Sequence, residues 1–458
     1  MWAWLSSPEG ALFLLVWLAC GVLVNSGNLD EFNLQQIGVE SIVERGHFYL
    51  EGSAAPELYP RADVFLRDGH KYAAKQPGQF MAGALAYFLL RLFGFSYVRN
   101  YLLTSAAVTF LTASLATAAA AVAVHKSARV FTNDGASPLW PLAAALCYAL
   151  TTTALAYSGV AHHDTIATAY LAWAFHFVLR LSRGDEARRG GARLESFGAG
   201  ALLGLTLTTS MLPLPMVVLV GAWFVSLRRW SLVPFFVAGG VAGLLPLFVY
   251  DAVSFGNPLL LPNVVGNYGD TFPRFDATNF AAKLRFYARM VVAYTPVVIV
   301  GLAGLALFAR EHRRACLLII LMTAALALYV TNIGTTGDCQ YGPRYLLPAA
   351  PFACLGLVGF ARLRPGASKT AALALVAAAA LFGLAVNLAG AMHGAMYCPV
   401  EHYAFPRYLS AIARGNLRAF PLAPWLLAPL AASAWLFARA ASDSLKGRGA
   451  AAHQYRER

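Results

Sequence analysis

The chain has 458 residues, 59% of them hydrophobic and only 12% charged, against about a quarter charged in a soluble domain. That composition excludes a water-soluble globular protein. The formal charge of +13 points to nucleic acid only if the cations share one surface, and they do not. They fall in short connectors between apolar runs: "HKSAR" from 125, "RLSRGDEARRGGAR" from 180, "RR" at 228, "AREHRR" from 309 and "RLRPGASK" from 362. Short Lys/Arg-rich connectors stay on the cytoplasmic side of a membrane, so the charge reports topology and excludes a nucleic-acid partner.

In chain order, Ala11–Val24 is the first apolar run; it lacks the basic start of a signal peptide and is read as a span. The stretch Ser26–Lys75 is acidic, with eight carboxylates against five Lys and Arg, and belongs outside. The next segment, Gln76–Gly94, carries Arg91 within it. If it crossed, every basic connector downstream would lie outside. It is therefore expected to lie along the outer face as a juxtamembrane helix.

The spans that follow are expected at Tyr101–Val124, Leu139–Tyr157, Thr165–Leu181, a two-helix hairpin over Phe197–Leu227 broken at Pro213 and Pro215, Leu232–Tyr250, Val291–Phe308, Cys316–Val330, Tyr345–Phe360, Thr370–Ala391 and Pro424–Phe437. At roughly 20 apolar residues per full crossing, this gives an all-α polytopic membrane protein with about twelve transmembrane helices and both termini cytoplasmic. It is expected to be a single transmembrane domain over 1–458, with a first outer loop at 26–98 bearing juxtamembrane helices and no separate soluble domain. The composition, rich in Ala, Leu and Arg, suggests a bacterial inner membrane, with the functional surface facing the periplasm.

The candidate chemistry gathers at the outer ends of these spans. Asp30 and Glu31 follow the first span at once, and a positioned carboxylate there can take a proton from a hydroxyl nucleophile; equally, they can begin a helix in a solvated loop. His162, His163 and Asp164 form the turn between two spans. Asp164 can cap the following helix, and two imidazoles with a carboxylate are a donor set for a divalent cation, through His163 and Asp164. No other cofactor is indicated.

In "DCQYGPRYLLPAAPF", Arg344, with Tyr345 beside it, stands where an outer loop enters the membrane. A guanidinium suits phosphate because its planar fork meets two oxygens; interfacial snorkelling or a salt bridge to Asp338 is the simpler alternative. Lys75, Arg274, Lys283, Arg285, Arg407 and Arg414 add outward cations, a set that fits a lipid phosphate headgroup. Cys339 and Cys398 are the two cysteines in outer loops; an oxidising compartment favours a disulfide between them, provided their loops are adjacent.

A first span followed by "DE", a long outer loop, "KQPGQFMAGALAYFLLRLFG" and later "GPRYLLPAAPF" resembles the GT-C superfamily of membrane glycosyltransferases, in its protein-mannosyltransferase or aminoarabinose-transferase-like branch. The chain differs from that branch in its "QPG" and its "HHD", and no C-terminal soluble domain is expected. The resemblance implies transfer of a sugar, with inversion, from a polyprenyl-phosphate-linked donor to a lipid, glycan or protein acceptor on the outer face of the cell envelope. It implies Asp30 as catalytic base, Glu31 assisting, Arg344 on the donor phosphate, and His163 and Asp164 lining the site. His162, Lys75 and Tyr345 complete the expected substrate-binding set. The alternative is a transporter or flippase of a lipid-linked or anionic substrate. Transporters usually carry internal repeats and mid-membrane charges, and neither is legible here. A non-catalytic assembly subunit would leave the exposed carboxylates and outward arginines without a purpose.

Overall fold

The computed structural model describes Trp4, residues 7–59, 63–132, 139–184, 189–267, Pro273, and residues 277–337, 339–400 and 402–456. Arg274 and Asp338 lie outside them. Helices dominate. Among the described residues the one sheet is a hairpin, Val64–Arg67 with His70–Ala73, in which Val64 faces Ala73 and Arg67 faces His70. Asp68 and Gly69 turn it with φ of 51° and 82°, the left-handed pair that two-residue hairpins demand. This hairpin is a small departure from the all-α expectation.

The protein is an integral membrane protein. Five described helices are long and apolar enough to cross: Tyr101–Phe131, Trp230–Phe255, Arg313–Asn332, Arg344–Arg362 and Ala367–His393. A bent pair makes six. Three shorter apolar helices, Pro8–Val22, Leu139–Thr151 and Leu214–Ser226, accompany them. At 13 to 15 residues these rise about 20 Å, short of a ~30 Å hydrocarbon layer. Among the described residues, five helices, or six with the bent pair, are thus long and apolar enough for a full crossing, where the sequence reading expects about twelve spans.

Several expected spans are broken, each for a local reason. Val291–Phe308 is instead Asn279–Tyr294 followed by Pro296–Leu305, bent by 98°. Pro296 removes one N–H and crowds the preceding turn. Leu139–Tyr157 divides into Leu139–Thr151 and Thr153–Ser158, because the Thr152 hydroxyl caps a new helix by accepting the Ala154 N–H at 3.2 Å. Tyr345–Phe360 is wound as a 3₁₀ turn Arg344–Ala349, an α-helix Ala350–Leu355 and a second 3₁₀ turn Gly356–Arg362. The 197–227 region forms two helices, Arg189–Thr209 and Leu214–Ser226, parted at 210–213.

In lipid, helices associate through close packing and small residues instead of by hydrophobic exclusion of water. Arg189–Thr209 lies directly on Val233–Phe255 through facing glycines. A Cβ added at Gly239 would stand 2.0 Å from the Phe197 carbonyl oxygen, and one at Gly200 would stand 1.9 Å from that of Phe236. No side chain fits there.

The two ends of the bundle differ in chemistry. At one, the basic connectors meet: Arg129 pairs with Glu9 at 2.7 Å, Arg362 donates to the Phe131 carbonyl at 3.2 Å, and Arg183 donates to that of Val130. At the other, the first loop meets the later loops, as where Gln76 donates to Asn263 at 2.6 Å. The Gly78–Arg91 helix belongs with the first loop: Tyr87 donates to Glu44 at 2.6 Å and Arg91 pairs with Glu44 at 3.2 Å. Leu85, Phe88 and Leu89 on this helix are exposed, as befits a helix lying against lipid.

Candidate active site

The helix His163–Ser182 starts at the polar turn. His162 is extended (φ −107°, ψ 135°), and its Nδ1 accepts the Asp164 N–H at 3.2 Å. The cap is therefore His162 and not Asp164, since the helix begins at His163, ahead of Thr165. This places Asp164 in the first turn, where a carboxylate is favoured and its side chain is released for other work. Burial pushes both imidazoles down: His162 well below its ordinary value, and His163 to about 4. Near neutral pH they are uncharged, so the 3.5 Å approaches of each to Asp164 are not ion pairs.

Asp164 is 1% exposed. Its Oδ1 accepts the Ser210 hydroxyl at 2.8 Å, which the break at 210–213 delivers. Its Oδ2 has no hydrogen-bond partner in the protein. Arg344 Nε stands 3.8 Å from Oδ2, also without one. That gap is too long for a hydrogen bond, so a buried guanidinium and a buried carboxylate face each other with capacity to spare. The sequence alternative for Arg344, a bridge to Asp338, falls outside the described residues.

These groups line a cavity of about 80 Å³ together with Lys75, Gln76, His163, Tyr345, Tyr329 and Asn263; Met211, Leu212, Leu261 and Ile333 complete its wall. Lys75 is held by Asp63 at 3.0 Å, and Arg344 lies over the Tyr345 ring, 4.9 Å from its centre. The structure thus brings together Lys75, His163, Asp164, Arg344 and Tyr345 from three stretches of sequence. His162 stands behind the wall, stacked on His163 with ring centres 4.1 Å apart. Asp30 and Glu31 do not line the cavity; they are exposed at the end of Ser26–Glu31. The link between them and the cavity is Phe32, whose ring meets that of His162 edge-on at 5.7 Å. The outward cations Lys283, Arg285, Arg407 and Arg414 are not on the wall either.

Cys339 and Cys398 form a disulfide, so the two loops are adjacent. Ser210, Asp63, Gln76 and Asn263 were invisible as site residues in the sequence. Ser210 sits in a prolyl break that reads as a loop, and the other three are ordinary polar residues until the fold brings them together.

His162, His163 and Asp164 offer one ligand atom each within 4.8 Å of one another. Yet His162 Nδ1 is committed to the helix cap, Ser210 occupies Asp164 Oδ1, and Lys75 and Arg344 line the same space. A divalent cation would meet two fixed positive charges there. The donor set fits one poorly.

No family model matches the chain, and no curated protein matches it by sequence. Solved structures do. ArnT from Cupriavidus metallidurans bound to undecaprenyl phosphate aligns over 95% of this chain and 76% of its own, with 15% identity and a TM-score of 0.52. Its apo state aligns over 94% and 75%, with 14% identity and a TM-score of 0.51. The chain has the GT-C fold. The archaeal oligosaccharyltransferase AglB from Archaeoglobus fulgidus, in complex with an inhibitory peptide and a dolichol-phosphate, shares it over 85% of this chain and 56% of its own, with 11% identity and a TM-score of 0.50. The chain therefore spans little more than half the length of AglB. At these identities the likeness concerns the fold of the helices and not the residues of the site.

Proposed function

We propose that this protein is a glycosyltransferase that moves a sugar from a polyprenyl-phosphate-linked donor to a lipid, glycan or protein acceptor at the outer, periplasmic face of a bacterial inner membrane, with inversion. One observation carries this reading: two cations, Lys75 and Arg344, share one small cavity with a buried carboxylate, in a fold whose solved examples include ArnT bound to undecaprenyl phosphate.

The chemistry follows from what the bond requires. A polyprenyl phosphate leaves readily once its developing charge is neutralised, and a buried guanidinium does this better than a solvated one. Arg344 Nε has no protein acceptor and is assigned to the phosphate, with Lys75 beside it as a second positive charge. Asp164 keeps the guanidinium aimed and offers Oδ2 to a sugar hydroxyl. An acceptor hydroxyl is a poor nucleophile, so a base must stand on the far side of the anomeric carbon, and inversion follows from that in-line attack. Asp30, exposed to arriving acceptor, is assigned as that base, with Glu31 assisting.

Undecaprenyl phosphate binding, followed by native mass spectrometry in detergent, tests the donor half. Arg344→Ala is expected to weaken it by at least about tenfold, as loss of a charge-assisted contact should. Unchanged affinity would remove the cavity from the donor site.

A further inference from the structure

The residues assigned to base, turn and phosphate sit on three separate segments, and one buried backbone unit ties all three. That unit is Ala395. Its N–H donates to Asn28 Oδ1 at 2.7 Å, two residues before Asp30. Its carbonyl accepts the Tyr341 N–H at 2.9 Å, three residues before Arg344. The same carbonyl accepts the Tyr157 hydroxyl at 3.3 Å, five residues before His162, and that hydroxyl also accepts the Tyr341 N–H at 2.9 Å. Asn28, Tyr157, Tyr341 and Ala395 are each at most 1% exposed.

Flanking bonds anchor the strap. Asn25 Nδ2 donates to the Ala391 carbonyl at 2.7 Å, and Tyr341 donates through its hydroxyl to the Val386 carbonyl at 2.6 Å. The Cys339–Cys398 disulfide closes it two residues before Tyr341 and three after Ala395. A loop that only covered the bundle would not need hydrogen bonds directed at these three segments. Unmade, each buried polar group would cost more than its bond returns, so the segments are held in one arrangement.

We propose that Asn28 and Tyr157 are positioning residues which, through Ala395, set the placement of Asp30, the His162–Asp164 turn and Arg344 relative to one another. The assignment rests on the reading above that these groups act on one reaction. Placement matters because a reacting group displaced by about 1 Å costs on the order of a hundredfold in rate.

The test uses the full chain in lipid nanodiscs, with Tyr157→Phe, which removes one hydroxyl, and Asn28→Ala. Amide exchange by mass spectrometry is expected to speed about tenfold in peptides covering 339–346 and 391–398, while the spans stay protected and the thermal midpoint moves little. With a polyprenyl-phosphate sugar that the wild type turns over, kcat is expected to fall about ten- to a hundredfold at a nearly unchanged donor KM. Unchanged exchange in both variants overturns the proposal, as does a lowered thermal midpoint with kcat preserved. If one variant does not fold, the other decides. If exchange speeds as expected but the wild type transfers no sugar, the functional reading fails and the strap remains.

Discussion

Arg344 Nε lies 3.8 Å from Asp164 Oδ2, both side chains are buried, and neither atom has a hydrogen-bond partner in the protein. Two opposite charges held close but not in contact leave room for a third group to complete both. Removing one member of a buried pair strands the other, typically at about 3–5 kcal/mol. Arg344→Ala is therefore expected to lower the thermal midpoint as well as donor binding. The double variant Arg344→Leu with Asp164→Leu should recover much of the stability but none of the binding. Full stability in the single variant would mean that the two charges are solvated independently.

Asp30→Asn keeps shape and removes the proposed base. Transfer is expected to fall by about 10²–10⁴-fold with undecaprenyl phosphate affinity intact, and Glu31→Gln should cost less. Near wild-type transfer by Asp30→Asn would dismiss Asp30 as the base and turn attention to the cavity's own carboxylate.

Lys75 and Asp63 are 3.0 Å apart but partly open to water, with side chains 22% and 42% exposed. An exposed pair is worth about 0–1 kcal/mol and is screened by salt. Asp63→Asn is thus expected to leave stability unchanged and to alter donor affinity only modestly, with the difference shrinking as salt rises. Lys75→Ala should weaken binding at all salt concentrations. Equal effects from both would mean that Lys75 acts only through Asp63.

Gly239→Val places a branched side chain where even a Cβ would lie 2.0 Å from the Phe197 carbonyl oxygen. Overpacking costs about 1–3 kcal/mol in a core that can shift, and more where the obstacle is backbone. The expected outcome is a clear loss of folded protein after detergent extraction, judged by gel filtration. Unimpaired recovery would show that the two helices can part without penalty.

Topology has its own test. Arg99→Cys should react with a membrane-impermeant maleimide added from outside intact cells, and Arg129→Cys should not. The opposite pattern would invert the topology downstream of the Gly78–Arg91 helix, placing the His162–Asp164 turn and Arg344 on the cytoplasmic side.

The sequence by itself determined the solvent of this protein and the addresses of most of its unusual charges. Apolar runs and basic connectors can be read without knowing any contact, because each span and each flank responds to the bilayer locally. Lys75, His163, Asp164 and Arg344 were legible for the same reason: a charged or strongly polar group at the edge of an apolar run is costly, and so conspicuous. What only the tertiary structure decided was which of them meet. Asp164 and Arg344 are 180 positions apart, and no local periodicity reports their approach. The break at Pro296 and the cap at His162 arise from local backbone chemistry, whereas the hydroxyl of Ser210 reaches Asp164 only once the helices are in place. The strap through Ala395 left no mark at all, because an alanine's carbonyl and N–H are common to nearly every residue, and only the fold aims them at Asn28, Tyr157 and Tyr341.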